Sequence, residues 1–187
     1  MVPSEKMFYR LFLALWPDDV GRRAMAKHTQ LWAWPEQSVR YEPVDWHVTL
    51  HFLGNLPEQR LPELSAGLHV PFYHFDLVLD RPERWPHGLA VLGASTVPNE
   101  LLDLHLRLTR AITVLDLPVE HRVYRPHVTL ARAAQAAVPP QSFAPVVWSI
   151  REYVLALSAG RPEERYQVIG RYPHGNRDQC RRDRGDI

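Results

Sequence analysis

The tetrapeptide His-Val-Thr-Leu occurs twice, at 47–50 and 127–130, and restricts what this chain can fold into more than any other feature. With ten His and six Thr in 187 residues, roughly 0.3 His-x-Thr triplets are expected by chance, so two copies with the same apolar fillers indicate an internal repeat. The copies lie about 80 residues apart, which is half-domain spacing and predicts two similar halves. Read as strands, each copy sorts its side chains onto two faces. His47 and Thr49 share one face and Val48 and Leu50 the other; His127 and Thr129 stand likewise against Val128 and Leu130. The apolar pair anchors the core of each half, and the polar pairs converge on a common space.

The rest of the chain supports two interleaved halves. The apolar run at 7–15 predicts a strand, ended by Pro17, and Asp18 is placed to cap a helix reaching about residue 32. Trp34-Pro35 and Pro43 bracket a loop leading to a strand at 46–53, which Gly54-Asn55 ends before a helix over 57–69. Strands at 72–79 and 89–94 follow. The second half begins with a helix over 98–115, whose Leu101, Leu104, Leu108 and Ile112 give an apolar face. It continues with a strand at 126–132, a loop rich in Ala and Pro over 133–145, a long strand at 146–158 and a final strand at 165–171. This is an α+β pattern of two pseudo-symmetric lobes facing each other. One domain is expected over 1–173, with its pseudo-repeats centred on the strands at 46–53 and 126–132. Residues 174–187 have no apolar side chain before Cys180 and Ile187, and are expected to form a disordered tail.

Composition sets the class of protein. No stretch resembles a signal peptide and no apolar run approaches bilayer-spanning length, so no membrane partner is expected. A single cysteine, Cys180, excludes an internal disulfide and a cysteine-based zinc cluster; a reducing cytoplasm is the expected location. The net charge of +1 is too small for a general nucleic-acid binder. The basic residues are twenty Arg against two Lys, and a planar guanidinium fork suits phosphate. Genomic base composition explains an Arg excess equally well, so each arginine has to be argued from its position.

Two imidazoles flanking one phosphorus can serve as base and acid in an in-line displacement, since His exchanges protons near neutral pH. Threonine hydroxyls can donate to the non-bridging oxygens as charge builds on them. This chemistry requires neither a metal nor a cofactor.

The segments V-D-W-H-V-T-L-H-F-L-G-N and Y-R-P-H-V-T-L-A-R resemble the two signature segments of the 2H phosphoesterase superfamily, specifically its RNA 2',3'-cyclic phosphodiesterases, also called 2'-5' RNA ligases. R-L-F-L-A-L near the start, the order of elements between the motifs and a late Arg165-Tyr166 extend the likeness over about residues 7 to 172. The resemblance implies lobes built of antiparallel-rich sheets, with helices outside, facing each other across a central cleft. It implies hydrolysis of 2',3'-cyclic phosphates on RNA ends or nucleotides to 2'-phosphomonoesters, with weak reverse ligation, by a monomer. His47 and His127 would be acid and base, Thr49 and Thr129 would hold the phosphate, and Arg132 would clamp it. Strand parity places Arg132 on the face opposite His127, and a bulge just after Leu130 would reconcile the two.

The remaining candidates stay open between site and packing. Tyr124 and Arg125 can stack on or pair with a nucleotide, although loop packing explains Tyr124 equally. Phe12 is a core residue within reach of a base, and Tyr166 can donate to phosphate. His51 reads as a surface residue. Two sister activities remain, on linear 2'-5' oligoadenylate or on ADP-ribose cyclic phosphate, as does an RNA-end binding module without turnover.

Overall fold

The computed structural model describes residues 7–159 and 165–175. Their elements run β1 (Phe8–Leu15), α1 (Asp19–Thr29), β2 (Val39–Arg40), β3 (Val48–Pro57), α2 (Leu61–Gly67), β4 (Phe75–Leu79), β5 (Arg81–Trp85), β6 (Leu89–Gly93), α3 (Asn99–Val114), β7 (His127–Arg132), β8 (Val146–Ile150), β9 (Glu152–Ser158) and β10 (Tyr166–Pro173). The class is α+β and the strand pairs are antiparallel. The main sheet has eight strands in the order β10-β9-β1-β3-β7-β6-β5, with β2 also on β7; β4 and β8 form a second sheet. The two halves are therefore hydrogen-bonded into one sheet instead of forming separate ones. The halves interleave, since β9 of the second pairs with β1 of the first and β6 of the first with β7 of the second, and the two motif strands β3 and β7 meet at the pair Val48 and Val128.

Burial explains why β1 carries an unbroken apolar run. Leu11, Leu13 and Leu15 enter the main core, while Phe12 and Ala14 on the opposite face form a smaller cluster with Val154 and Ala156. A strand covered on both faces has no position left for a solvent-facing residue. Each fully buried leucine there contributes roughly 1.5–3 kcal/mol. Asp18 caps α1 as expected, accepting from the Gly21 amide at 2.8 Å. In α3 the residues Leu101, Leu104, Leu108 and Ile112 are all buried, and the helix packs against β3. Among the described residues no helix is long and apolar enough to cross a membrane.

Several boundaries differ from expectation. Gly54 does not end β3: it takes φ +85° opposite Leu11, Leu53 bulges, and pairing with β1 continues to Pro57. The helix expected from 57 accordingly begins at Leu61, after a single 3₁₀ turn over Glu58–Arg60. β5 was not expected from the sequence; its Arg-Pro-Glu-Arg-Trp lacks an apolar pattern, and Pro82 is tolerated because β5 is the sheet's edge. The long strand over 146–158 breaks at Arg151, with β8 in the small sheet and β9 beside β1 in the large one. His174 and Gly175, expected in a disordered tail, are tied down: their amides donate to Arg151 O at 2.8 Å and Phe72 O at 3.1 Å. The rest of that expected tail, 176–187, lies outside the described residues.

Candidate active site

The two motifs are neighbours across the seam of the sheet. Continuing the antiparallel register of Val48 and Val128 by one residue each way sets His47 beside Thr129 and Thr49 beside His127. A local two-fold axis thus passes between the valines, and both polar pairs emerge on one face. The apolar partners behave as the alternation requires, with Val48, Leu50, Val128 and Leu130 all buried.

Each motif also ends in a bulge at its leucine. On β7, Thr129 faces Val91 and Ala131 faces Ala90, leaving Leu130 as the extra residue. On β3, Thr49 faces Ala14 and His51 faces Leu13, leaving Leu50 as the extra residue. An extra residue shifts parity by one. Arg132 thereby joins His127 and Thr129 on the site face while Ala131 turns into the core, which resolves the parity conflict. The same shift in the first copy brings Phe52, 40% exposed, to the site face and turns His51 inward to 6% exposure. His51 is thus buried rather than at the surface. Its ring stacks on His105 at 4.0 Å, and its Nε2 lies 3.1 Å from His105 O.

Backbone carbonyls orient both motif histidines in the same way. His47 Nδ1 lies 2.7 Å from Asp45 O, and His127 Nδ1 lies 2.7 Å from Arg125 O. A carbonyl only accepts, so each Nδ1 carries the proton and donates, and each Nε2 is left free for another partner. A 3₁₀ turn over Pro43–Asp45 delivers the first carbonyl, and the extended approach through Pro126 delivers the second. Burial, with a smaller contribution from His127 nearby, pulls His47 down to about 4 against the support of Asp45 O. Burial also lowers His127, with Arg122 and Arg125 adding to the effect against the Arg125 carbonyl. Both imidazoles are therefore held neutral near pH 7.

The surroundings of the two histidines differ. His47 sits in an aromatic box, stacked on Trp16 at 5.2 Å with Phe12 at 5.1 Å and Tyr166 edge-on at 4.9 Å. His127 leans on Trp85 at 4.2 Å, and the Arg125 guanidinium covers Trp85 at 4.5 Å. Glu83 fixes this second group, accepting from Trp85 Nε1 at 2.9 Å, Arg125 at 3.0 Å and Arg81 at 2.7 Å. On the first side Asp45 pairs with Arg165 at 3.5 Å, and Arg165 lies over Tyr41.

A cavity of about 480 Å³ opens over the seam, and His47, Thr49, His127, Thr129, Tyr124, Arg125 and Tyr166 all line it. Phe12 does not; at 2% exposure it supports His47 from beneath, so the expected contact with a base is replaced by packing. Arg132 lies outside the cavity lining, exposed at the end of β7 with its guanidinium 5.4 Å from the Tyr41 ring. Tyr124 stacks on His105 at 4.1 Å; its hydroxyl has no hydrogen-bond partner, and burial raises its pKa. Among the described residues no three His, Cys, Asp or Glu side chains are grouped to hold a metal ion. Trp16, Tyr41, Phe52, Glu83, Trp85 and His105 were not among the sequence candidates. Trp16 had a usable signal, since it continues the parity of Phe12 and Ala14 along the first strand.

No family model matches the chain. An RNA 2',3'-cyclic phosphodiesterase of Escherichia coli K12 is 31% identical over 174 residues, which cover 87% of this chain and 95% of the relative. A protein of the same name from Geobacillus stearothermophilus is 27% identical over 149 residues, 69% of this chain. The chain spans only 45% of that second relative's length. The crystal structure of E. coli LigT complexed with 3'-AMP superposes with a TM-score of 0.78 at 24% identity, over 91% of this chain and all of LigT. Through its nearly full-length match to the E. coli relative, and with the fold it shares with LigT, the chain belongs to the RNA 2',3'-cyclic phosphodiesterase (LigT) family of the 2H phosphoesterase superfamily.

Proposed function

We propose that the two halves act as one bilobal domain with the cavity as its cleft, and that it hydrolyses 2',3'-cyclic phosphate ends of RNA or nucleotides to 2'-phosphomonoesters. The observation that carries this reading is the matched pair of imidazoles, each with Nδ1 committed to a carbonyl and Nε2 left for chemistry in one shared cavity. In a regular antiparallel pair such diagonal neighbours lie roughly 7–8 Å apart at Cα, which leaves room for one phosphate between them.

One imidazole takes a proton from water as the water oxygen bonds to phosphorus; the P–O3' bond breaks and the other imidazole protonates O3'. Thr49 and Thr129 donate to the non-bridging oxygens, Arg132 at the end of β7 neutralises their charge, and Tyr166 beside His47 supplies a further hydroxyl. Tyr124 and Arg125 contact the nucleoside side of the substrate. An anion between the imidazoles favours their charged forms, so substrate raises the pKa of both. The same groups run the reverse step when a 5'-hydroxyl replaces water, giving weak 2'-5' ligation because water competes. No step uses a metal or cofactor. LigT in complex with 3'-AMP supports a nucleotide as the ligand class.

The deciding experiment follows a 2',3'-cyclic nucleotide and a cyclic-phosphate RNA by phosphorus NMR in EDTA. A 2'-phosphate product at full rate is expected, and strict dependence on a divalent ion would reject the scheme. Activity only on 2'-5' oligoadenylate or on ADP-ribose cyclic phosphate would move the chain to a sister activity. Binding of the cyclic end without turnover would make it an RNA-end module.

A further inference from the structure

The cavity is not framed evenly by charge. Both arginines in its lining, Arg122 and Arg125, stand on the approach to β7, at the opposite end of that strand from Arg132. Their side chains are 71% and 56% exposed, and the intervening Val123 is 85% exposed. Each guanidinium has one acidic partner, Glu120 at 2.8 Å for Arg122 and Glu83 at 3.0 Å for Arg125. Exposed pairs of this kind are worth little, about 0–1 kcal/mol. A guanidinium has five N–H donors, so both arginines keep donors for a phosphate. The Arg125 guanidinium also lies over Trp85, which leans in turn on the His127 ring. The sequence of contacts from the reacting centre to solvent is therefore imidazole, indole, guanidinium.

A cyclic phosphate is the last group of an RNA chain, so nothing continues past it. Of the two ends of β7, the one past His127 is where arginines belong to the cavity lining, so it is the end that offers a path to the nucleotides preceding the cyclic phosphate. We propose that the rim formed by Arg122, Val123 and Arg125 is the track for the RNA strand 5' to the cyclic phosphate, which makes oligonucleotide ends the preferred substrates over mononucleotides. The inference rests on the cyclic phosphodiesterase reading above. Arg122 and Arg125 take the two phosphates that follow, and the guanidinium face of Arg125 offers a stacking surface to the adjoining base.

The test compares kcat/KM for cytidine 2',3'-cyclic phosphate and for a tetranucleotide ending in the same cyclic cytidine. The wild type should favour the tetranucleotide at least about tenfold at low salt, and raising salt from about 50 to about 200 mM should cut that advantage about sevenfold, as expected for two contacts on a single strand. Arg122→Ala/Arg125→Ala should bring the ratio to within about twofold of one. Arg122→Glu, which leaves the Trp85 stack untouched, should lower the ratio without depending on the double variant's folding. A wild-type ratio near one, or a ratio that survives both variants, overturns the track. Absence of hydrolysis of either substrate by the wild type sinks the underlying reading instead, so the two failures are distinguishable.

Discussion

At the scale of single residues, the decisive groups are two nitrogens and the carbonyls that free them. His47→Ala and His127→Ala are each expected to slow the chemical step by at least about 10²-fold while far-ultraviolet dichroism stays unchanged. The rate rises with pH as the base loses its proton and falls as the acid loses its own, so kcat/KM should trace a bell. Burial places both limbs at or below the ordinary histidine value, one of them near pH 4, and the two limbs belong to the coupled pair. The kcat profile should lie at higher pH, because bound phosphate favours charged imidazole. A single sigmoid between pH 3 and 9 would argue against two-histidine catalysis. The sequence shows both histidines plainly, but not what holds them: Asp45 O and Arg125 O are backbone atoms, which no side-chain pattern records.

At the scale of elements, bulges decide which side chains reach the site. Gly54 supplies a left-handed residue in β3, so Gly54→Ala should destabilise the protein by roughly 1–2 kcal/mol in urea unfolding. Deleting Leu130 removes the second bulge and returns Arg132 to the opposite face; kcat/KM for cyclic phosphates should fall by as much as in Arg132→Ala, and a smaller loss would count against Arg132 as the clamp. The strands bearing the motifs were legible because an apolar residue alternates with a polar one. The bulges were only inferable, from the conflict between that alternation and the likeness that assigned Arg132. The break at Arg151 had a readable signal that strand length obscured. Val146, Trp148 and Ile150 alternate with exposed residues, whereas Tyr153 to Leu157 are buried without interruption. A change from one covered face to two marks a change of sheet. β5 carried no such signal, since an edge strand of Arg, Pro and Glu is held by its partner alone.

At the scale of the whole molecule, one core cluster draws on both halves, including Leu13 and Leu50 from the first and Leu104, Leu130 and Leu155 from the second. The halves should therefore unfold together, in one transition by dichroism and by tryptophan fluorescence. Burial lowers the pKa of His28, His47, His51, His105 and His127. Below the unfolded value of about 6.5, the unfolded chain binds protons that the native state refuses, so stability is full above that pH and is lost as pH falls toward 4. The urea midpoint should decline steadily between about pH 6.5 and 4, and a flat midpoint there would contradict the burial of these imidazoles.

The axis through Val48 and Val128 has a stereochemical consequence. A site with true two-fold symmetry would accept a cyclic phosphate in two equivalent poses that open the same P–O bond and differ only in which imidazole is base and which is acid. The axis carries Arg132 onto Phe52, so a guanidinium stands at one end of the site and a benzyl group at the other. That inequality, together with the different ring neighbours of the two histidines, favours one pose, so the division into base and acid is set by side chains outside the pair. Phe52→Arg should weaken that preference, and the rate losses on replacing His47 or His127 by Ala should become more alike than in the wild-type background.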